Sequence, residues 1–424
     1  MDNTIASPSG SKLGRFIASL GPGIMMATAA VGGSHLVAST KAGAFFGWQL
    51  AALILLVNLL KYPFFRAGVQ YTMGTGKSLV QGYATMGFGY LCVFTFLSVV
   101  SAFINTAALA LFSASLLGLF LPFDLSMTQL ALIVLGTCIA ILLAGHYRAL
   151  DSISKFIMAA LIICTVSAVV IAASKGGAAP ADFVGPSPWT LASIGFIVIT
   201  MGWMPAPIEI SCLTSLWLKS QKEKQDVTPE SALVDFNVGY IATAVLAIVF
   251  LSLGALVLYG SDTEISKSGI KFSHQLVSMY SSNIGEWSRH LIAVIAFFCI
   301  FGSTITVVDG YARAIVESQR LLSKKDTQSP VWQTVWIFAI STGAIVIVHF
   351  FIDRVMALLD FAMIMAFVTT PVFALLNYLL VSKTDLPAAL KSGAKLKALS
   401  IIGLVYLFGF LAVFVWWKFF LVTA

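Results

Sequence analysis

The sequence predicts an all-α polytopic membrane protein with eleven transmembrane helices, and three observations predict it. The chain has 424 residues, of which 59% are hydrophobic and only 10% charged, whereas soluble domains average about 45–50% apolar and about a quarter charged. The apolar residues fall into runs of roughly the 20 residues that a crossing helix needs. The basic residues lie between those runs, as the positive-inside rule describes. Together these exclude a soluble enzyme with a solvated surface and a disordered polar chain. The formal charge of +7 forms no single patch, so no nucleic-acid partner is expected; the partner that the composition implies is the lipid bilayer.

Along the chain, residues 1–15 are polar and read as a cytoplasmic tail, with no cleavage site after them. Crossing helices are expected at about 16–45, 47–70, 88–120, 126–145, 154–174, 189–218, 234–259, 289–318, 331–351, 355–382 and 398–420. With the N-terminus inside, the basic residues on that side, Lys12, Arg15, Lys77, Lys222, Lys324 and Lys395 among them, outnumber those outside by about three to one. Eleven spans then leave the C-terminus outside. Trp189, Trp287, Trp416 and Trp417 fall at outer edges, as interfacial aromatic residues do. The longest connection, about 260–288, reads as a polar, Ser-rich outer loop. The five cysteines all sit in apolar runs without a CxxC pair, which leaves no disulfide framework or zinc spacing.

Two spans carry helix-breaking residues near their middle. The first contains Gly32-Gly33-Ser34-His35, and the sixth contains Met204-Pro205-Ala206-Pro207 followed by Glu209. A glycine weakens a helix interior by about 1 kcal/mol and a proline by about 3 kcal/mol. Backbone exposed to lipid cannot stay unpaired, so interruptions at that depth imply a cavity lined by protein. Spans one and six occupy matching positions in two five-helix units of opposite topology. Paired breaks of this kind are the sequence pointer to a transporter's central site. Residues 16–175 and 176–383 are thus expected to be two inverted repeats, with 384–424 supplying an eleventh helix.

Ionisable residues inside spans are candidates for function. His35 sits at the first break and could meet substrate or carry a proton. Glu209 lies just past the second and could act at the site or cap span one. Lys41 could pair with Glu209 or meet an anionic substrate, and Lys61, near Pro63 and Arg66, reads as a snorkelling lysine. Asp309, Arg313, Glu317 and Arg320 form one face of the inner half of span eight, with Asp309 and Arg313 a favourable pair four residues apart, and read as a structural stripe or inner gate. Asp360 could offset Arg354.

The motifs resemble those of the NRAMP family of divalent metal transporters. Gly21-Pro22-Gly23 is similar to the family's GPG/GPA, the run from Ala42 to Trp48 to its GGAQFGY, and Asn58-Leu59 to its NL. Thr75-Gly76-Lys77-Ser78-Leu79 resembles TGRDL, Met204-Pro205 the start of MPH, Thr306-Val307 with Tyr311-Ala312 the TVTGTYAG pattern, and Pro371 the end of QLP. The resemblance implies the leucine-transporter-like 5+5 inverted repeat with broken helices 1 and 6, no cofactor, and alternating access. The departures fall on the substrate residues. Gly32-Gly33-Ser34-His35 stands where the family has DPGN, Ala206 where it has the MPH histidine, Ser211 where a second histidine follows, and Thr369 where a glutamine faces the metal. Span three lacks the family's proton-pathway acids.

The site residues that follow are Gly32, Gly33, Ser34, His35, Met204, Pro205, Ala206, Glu209 and Thr369 for substrate, with His35, Met204 and Glu209 as the metal-ligand candidates. His35, Lys41, Lys61, Glu209, Asp309 and Arg313 are the proton or gate candidates. The expected function is secondary transport of a metal ion through an altered site, with a small organic or anionic solute as the alternative and a coupling ion as a further partner. No nucleophile–base signature points to an enzyme. The expected location is a bacterial inner (cytoplasmic) membrane.

Overall fold

The computed structural model describes residues 21–421 except 122, 146, 181, 225, 262–265, 267, 268, 326–329 and 353. The expected tail over 1–15, with Lys12 and Arg15, and the opening residues of span one, 16–20, lie outside the described residues.

Among the described residues the regular structure is helical. In order, α1 (Pro22–Ala30) leads through a turn to a π-helical stretch (Ser34–Ser39) and α2 (Thr40–Phe46); α3 (Ala51–Thr75), α4 (Leu79–Met86), α5 (Phe88–Leu117), α6 (Met127–Leu143) and α7 (Tyr147–Lys175) follow. Then come α8 (Ile194–Gly202), α9 (Ile210–Lys222), α10 (Pro229–Val257), α11 (Gly269–Ile284), α12 (Arg289–Leu322), α13 (Pro330–Phe350), α14 (Val355–Lys383) and α15 (Ala394–Trp416). Every segment read as apolar from the sequence is helical over most of its length. Local sequence fixes many of the ends. Ser78 with Gln81 and Ser126 with Gln129 form capping boxes at α4 and α6, satisfying amide groups that have no partner within the helix. Thr228 caps α10, with Pro229 in its first turn.

Among the described residues seven helices are long and apolar enough to cross a membrane: α3, α5, α10, α12, α13, α14 and α15, some with their flanking turns. α6, residues 159–175 of α7, and α8 with its lead-in are apolar but shorter. In the most apolar windows of α13 and α15 only 28% and 22% of the residues are buried. These helices turn Ile, Val, Phe and Trp outward, which is the surface that lipid covers. The chain is an integral membrane protein.

One expectation is corrected here. The connection over 260–288 is not merely a polar loop. It folds into α11, which buries Phe272, Leu276, Val277 and Tyr280. Their spacing of three and four residues is that of an amphipathic helix.

α10 is the wall on which the first interrupted helix lies. The two meet backbone to backbone at two levels. A Cβ on Gly43 would stand 2.0 Å from the Leu251 carbonyl oxygen, and one on Gly254 would stand 2.2 Å from that of Thr40. A Cβ on Gly23 or Gly239 would likewise fall 2.3 Å from a carbonyl oxygen of the opposite helix. Only glycine permits such approach. Near α1, Asp235 of α10 accepts from the amide groups of Gly21 (3.0 Å) and Gly23 (2.7 Å). It is a cap supplied from another helix, with its negative charge at the positive end of the helix dipole.

Candidate functional site

Two interruptions of helix bring the candidate residues near one another. Residues 31–33 separate α1 from the π-helical stretch, and residues 203–209 separate α8 from α9. Between them lies a cavity of about 30 Å³ lined by α1, the first turn of the π-helical stretch, α5, the 203–209 segment, α9 and α12, room for roughly two waters. Gly33, Ser34 and Ala206 line it, together with Trp203, Asn105 and Tyr311. Gly33 is packed tightly, since a Cβ there would stand 2.5 Å from the Trp203 ring.

His35 turns to α10 rather than being one of the lining residues. Its Nε2 lies 2.9 Å from the Thr243 carbonyl oxygen, and its Nδ1 lies 2.7 Å from Ser34 Oγ and 3.2 Å from the Ala30 carbonyl. The ring meets Phe250 edge to face at 6.2 Å. Ser34 donates to the carbonyl of Ala30. His35 and Ser34 thus serve carbonyl groups left over at the first interruption, and both are buried.

The second interruption carries charge. The carbonyl of Met201 would be paired in a continued helix with the amide of residue 205, and that of Trp203 with the amide of residue 207. Both positions are proline, which has no amide hydrogen. Lys61 of α3 fills the gap: its Nζ donates to the carbonyls of Met201 (2.8 Å) and Gly202 (3.2 Å). Its side chain is fully buried, so the expected snorkelling to a helix end does not occur. Glu209, also buried, accepts from Tyr311 Oη through Oε1 at 2.9 Å, while Oε2 has no hydrogen-bond partner. Lys61 and Ser101 are the other polar groups that act on its carboxyl. Asn105 donates to Tyr311 Oη (2.8 Å), so Asn105, Tyr311 and Glu209 form one relay, and Asn105 Oδ1 is left without a donor.

Several expected pairings resolve differently. Lys41 does not pair with Glu209; its Nζ is 2.8 Å from Asp360 Oδ1. Asp360 therefore offsets Lys41 and not Arg354. Glu209 engages α12 and α3 rather than capping span one. Met204 is fully buried, and its Sδ accepts from Ser39 Oγ at 3.6 Å. Pro205 follows it through a cis peptide bond. Thr369 is buried and donates to the Ala366 carbonyl at 3.2 Å, and a Cβ on Gly32 would press on Ser303 Oγ. Neither Thr369 nor Gly32 is among the cavity-lining residues. Among the described residues no group of three His, Cys, Asp or Glu side chains could hold a metal ion; of the three metal-ligand candidates, His35 meets the Thr243 carbonyl, Met204 meets Ser39 and Glu209 meets Tyr311.

The stripe on α12 is paired along its own helix. Arg313 Nε lies 2.7 Å from Asp309 Oδ2, and Arg320 lies 2.8 Å from Glu317. Arg313, Glu317 and Arg320 border a separate polar cavity with Gln81, Lys219 and Glu223, away from the small one. Ser211, which takes the place of a family histidine, accepts from Asn377 Nδ2 at 2.9 Å.

Sequence reasoning passed over Asn105, Trp203 and Asp235 as site or scaffold residues, and it took Tyr311 only as part of a motif. Asn105 had a signal: it is an amide in the charge-free α5. Asp235 had one too, since it is an acid inside a predicted span.

Comparisons with known proteins agree with this architecture. The family described as natural resistance-associated macrophage protein-like matches residues 23–417. An uncharacterised protein of Pasteurella multocida is 51% identical over 401 residues, 94% of this chain and 92% of that one. A divalent metal cation transporter, MntH, of Latilactobacillus sakei is 22% identical over 278 residues, 63% of this chain and 60% of that one. Among solved structures, the manganese transporter of Eremococcus coleocola superposes with a TM-score of 0.69 at 14% identity, covering 97% of this chain and 88% of the other. Mhp1, a nucleobase-cation-symport-1 family transporter, superposes with a TM-score of 0.60 at 14% identity over 94% and 93% of the two chains. The extent of the family match and the shared fold place this chain in the NRAMP-like family, whose members are transporters.

Proposed function

We propose that this chain is a secondary transporter working by alternating access, and that its cargo is a metal cation carried through an altered site. The reading takes the helices as eleven crossings arranged as a 5+5 inverted repeat, with broken helices 1 and 6 and with the N-terminus inside. The observation that carries it is the pair of buried oxygens without donors, Asn105 Oδ1 and Glu209 Oε2, joined through Tyr311 beside the cavity. A buried acceptor without a donor is costly, and a cation is the species that satisfies two of them at once. Oxygen donors of this type suit hard cations such as Mn²⁺ or Mg²⁺. Movement of α1 and α8–α9 against the remaining helices would open the cavity to each side in turn. Family membership and the resemblance to MntH support a metal as cargo.

One observation favours a second reading, a small organic solute. Trp203, which lines the cavity, buries Nε1 without an acceptor, and the lining side chains carry no charge. A solute bearing a carbonyl or carboxylate oxygen would satisfy that donor.

The test is uptake into proteoliposomes of Mn²⁺, Fe²⁺, Ni²⁺ and Mg²⁺, then of amino acids and organic anions. Saturable uptake of at least one divalent metal, lost in Glu209→Gln, is expected. Uptake of an organic solute and of no metal would replace the first reading with the second.

A further inference from the structure

We infer that the carboxyl-terminal end of α8 is a monovalent-cation site and that Lys61 is its permanent occupant, a tethered ammonium standing where a dissolved cation would otherwise be needed. Three observations carry the inference. First, the sequence makes the site: Pro205 leaves the Met201 carbonyl without its helical partner, and α8 stops at Gly202, so carbonyl oxygens gather at the negative end of a helix dipole. Second, the Lys61 ammonium sits on the Met201 and Gly202 carbonyls at 2.8 and 3.2 Å with its whole side chain out of contact with solvent. Desolvating an ammonium is unfavourable unless oxygens replace its water, and here two carbonyls do so. Third, the same interruption carries an acid, Glu209, which is buried and whose Oε2 has no hydrogen-bond partner. A small-cation site in a protein is built from the same parts: freed carbonyls, a helix end and one acid.

The consequence is a division of labour. A site formed by carbonyls and one carboxylate alone would be net negative and would draw in a free cation. With Lys61 in place the charges of Lys61 and Glu209 cancel, and the carbonyl end of α8 is closed to dissolved ions. The inference holds whichever cargo the cavity takes.

The test uses the full-length chain purified in detergent and follows its melting temperature. In the unsubstituted protein, methylammonium and Na⁺ should act no differently from N-methylglucamine at equal ionic strength. Lys61→Ala, which vacates the space, should melt lower and regain stability in a saturable way with methylammonium or Na⁺ but not with N-methylglucamine. Adding Glu209→Gln should weaken that rescue. A folded Lys61→Ala protein with no saturable cation response would overturn the proposal. If Lys61→Ala fails to fold, amine-reactive footprinting of the unsubstituted protein decides: Lys61 should stay unmodified while Lys397 reacts, and equal rates at the two would overturn it. Uptake is not the readout, so failure of the cargo assignment leaves this result standing, and the reverse.

Discussion

The two helix interruptions solve the same problem with different chemistry. At residues 31–33 the Ala30 carbonyl is met by Ser34 and His35, and the chain continues in a π-helical stretch pressed onto α10. At residues 203–209 two prolines remove amide hydrogens, and the Met201 and Gly202 carbonyls at the end of α8 are met by the buried Lys61, with the buried Glu209 seven residues past that end. The first region is held by backbone contact with α10. The second holds a buried lysine on two carbonyl oxygens and a buried acid bonded to Tyr311. Of the two interruptions, the second is thus the one followed by an acid, Glu209, while the first carries Gly32.

That contrast can be broken in order of expected effect. Gly43→Val should be the most damaging, because any side chain at that position runs into the Leu251 carbonyl of α10. Little folded protein should survive size-exclusion chromatography. Glu209→Gln replaces the buried carboxyl that accepts from Tyr311 and should destabilise by about 1–3 kcal/mol, seen as a lowered melting temperature together with loss of uptake. Combining it with Lys61→Met removes both charges. The double variant should be more stable than the sum of the single effects by about 1–3 kcal/mol, and simple additivity would show that the two groups do not act as a pair. His35→Ala removes the imidazole contacts to the Thr243 carbonyl and to Ser34 and should cost about 1–3 kcal/mol, read as a drop in melting temperature. Asp385→Asn should be the mildest change. Lys391 holds the exposed Asp385 carboxyl below the usual carboxylate range. Any stability it adds is present above the unfolded carboxylate's pKa and is lost as pH falls through the lowered one. With both partners in water the effect on melting at neutral pH should be close to nil.

Much of the fold was legible in the sequence, because a bilayer demands long apolar runs and those runs can be counted. The interruptions were legible too, since Gly32-Gly33 and Pro205-x-Pro207 disrupt a helix whatever surrounds them. The helix α11 was missed although Phe272, Leu276, Val277 and Tyr280 carry its period, because the serines around them suggested a loop. Partners were not legible. Nothing local says that Lys61 reaches across to Met201 rather than to a headgroup, that Lys41 finds Asp360, or that Asp235 caps a helix more than two hundred residues earlier. Those contacts depend on which helices pack together. The prolines did announce that some carbonyls would need donors, but not that a lysine would supply them.

The central claim is that the cavity between the two interruptions is the transport path. Side-specific labelling of Ala206→Cys by a membrane-impermeant thiol reagent in proteoliposomes tests it most directly. Ala206 lines the cavity and is buried. Labelling should proceed from each face in turn, should be slowed by the transported solute, and should block uptake. Labelling from neither face, or labelling that leaves uptake intact, would contradict the account.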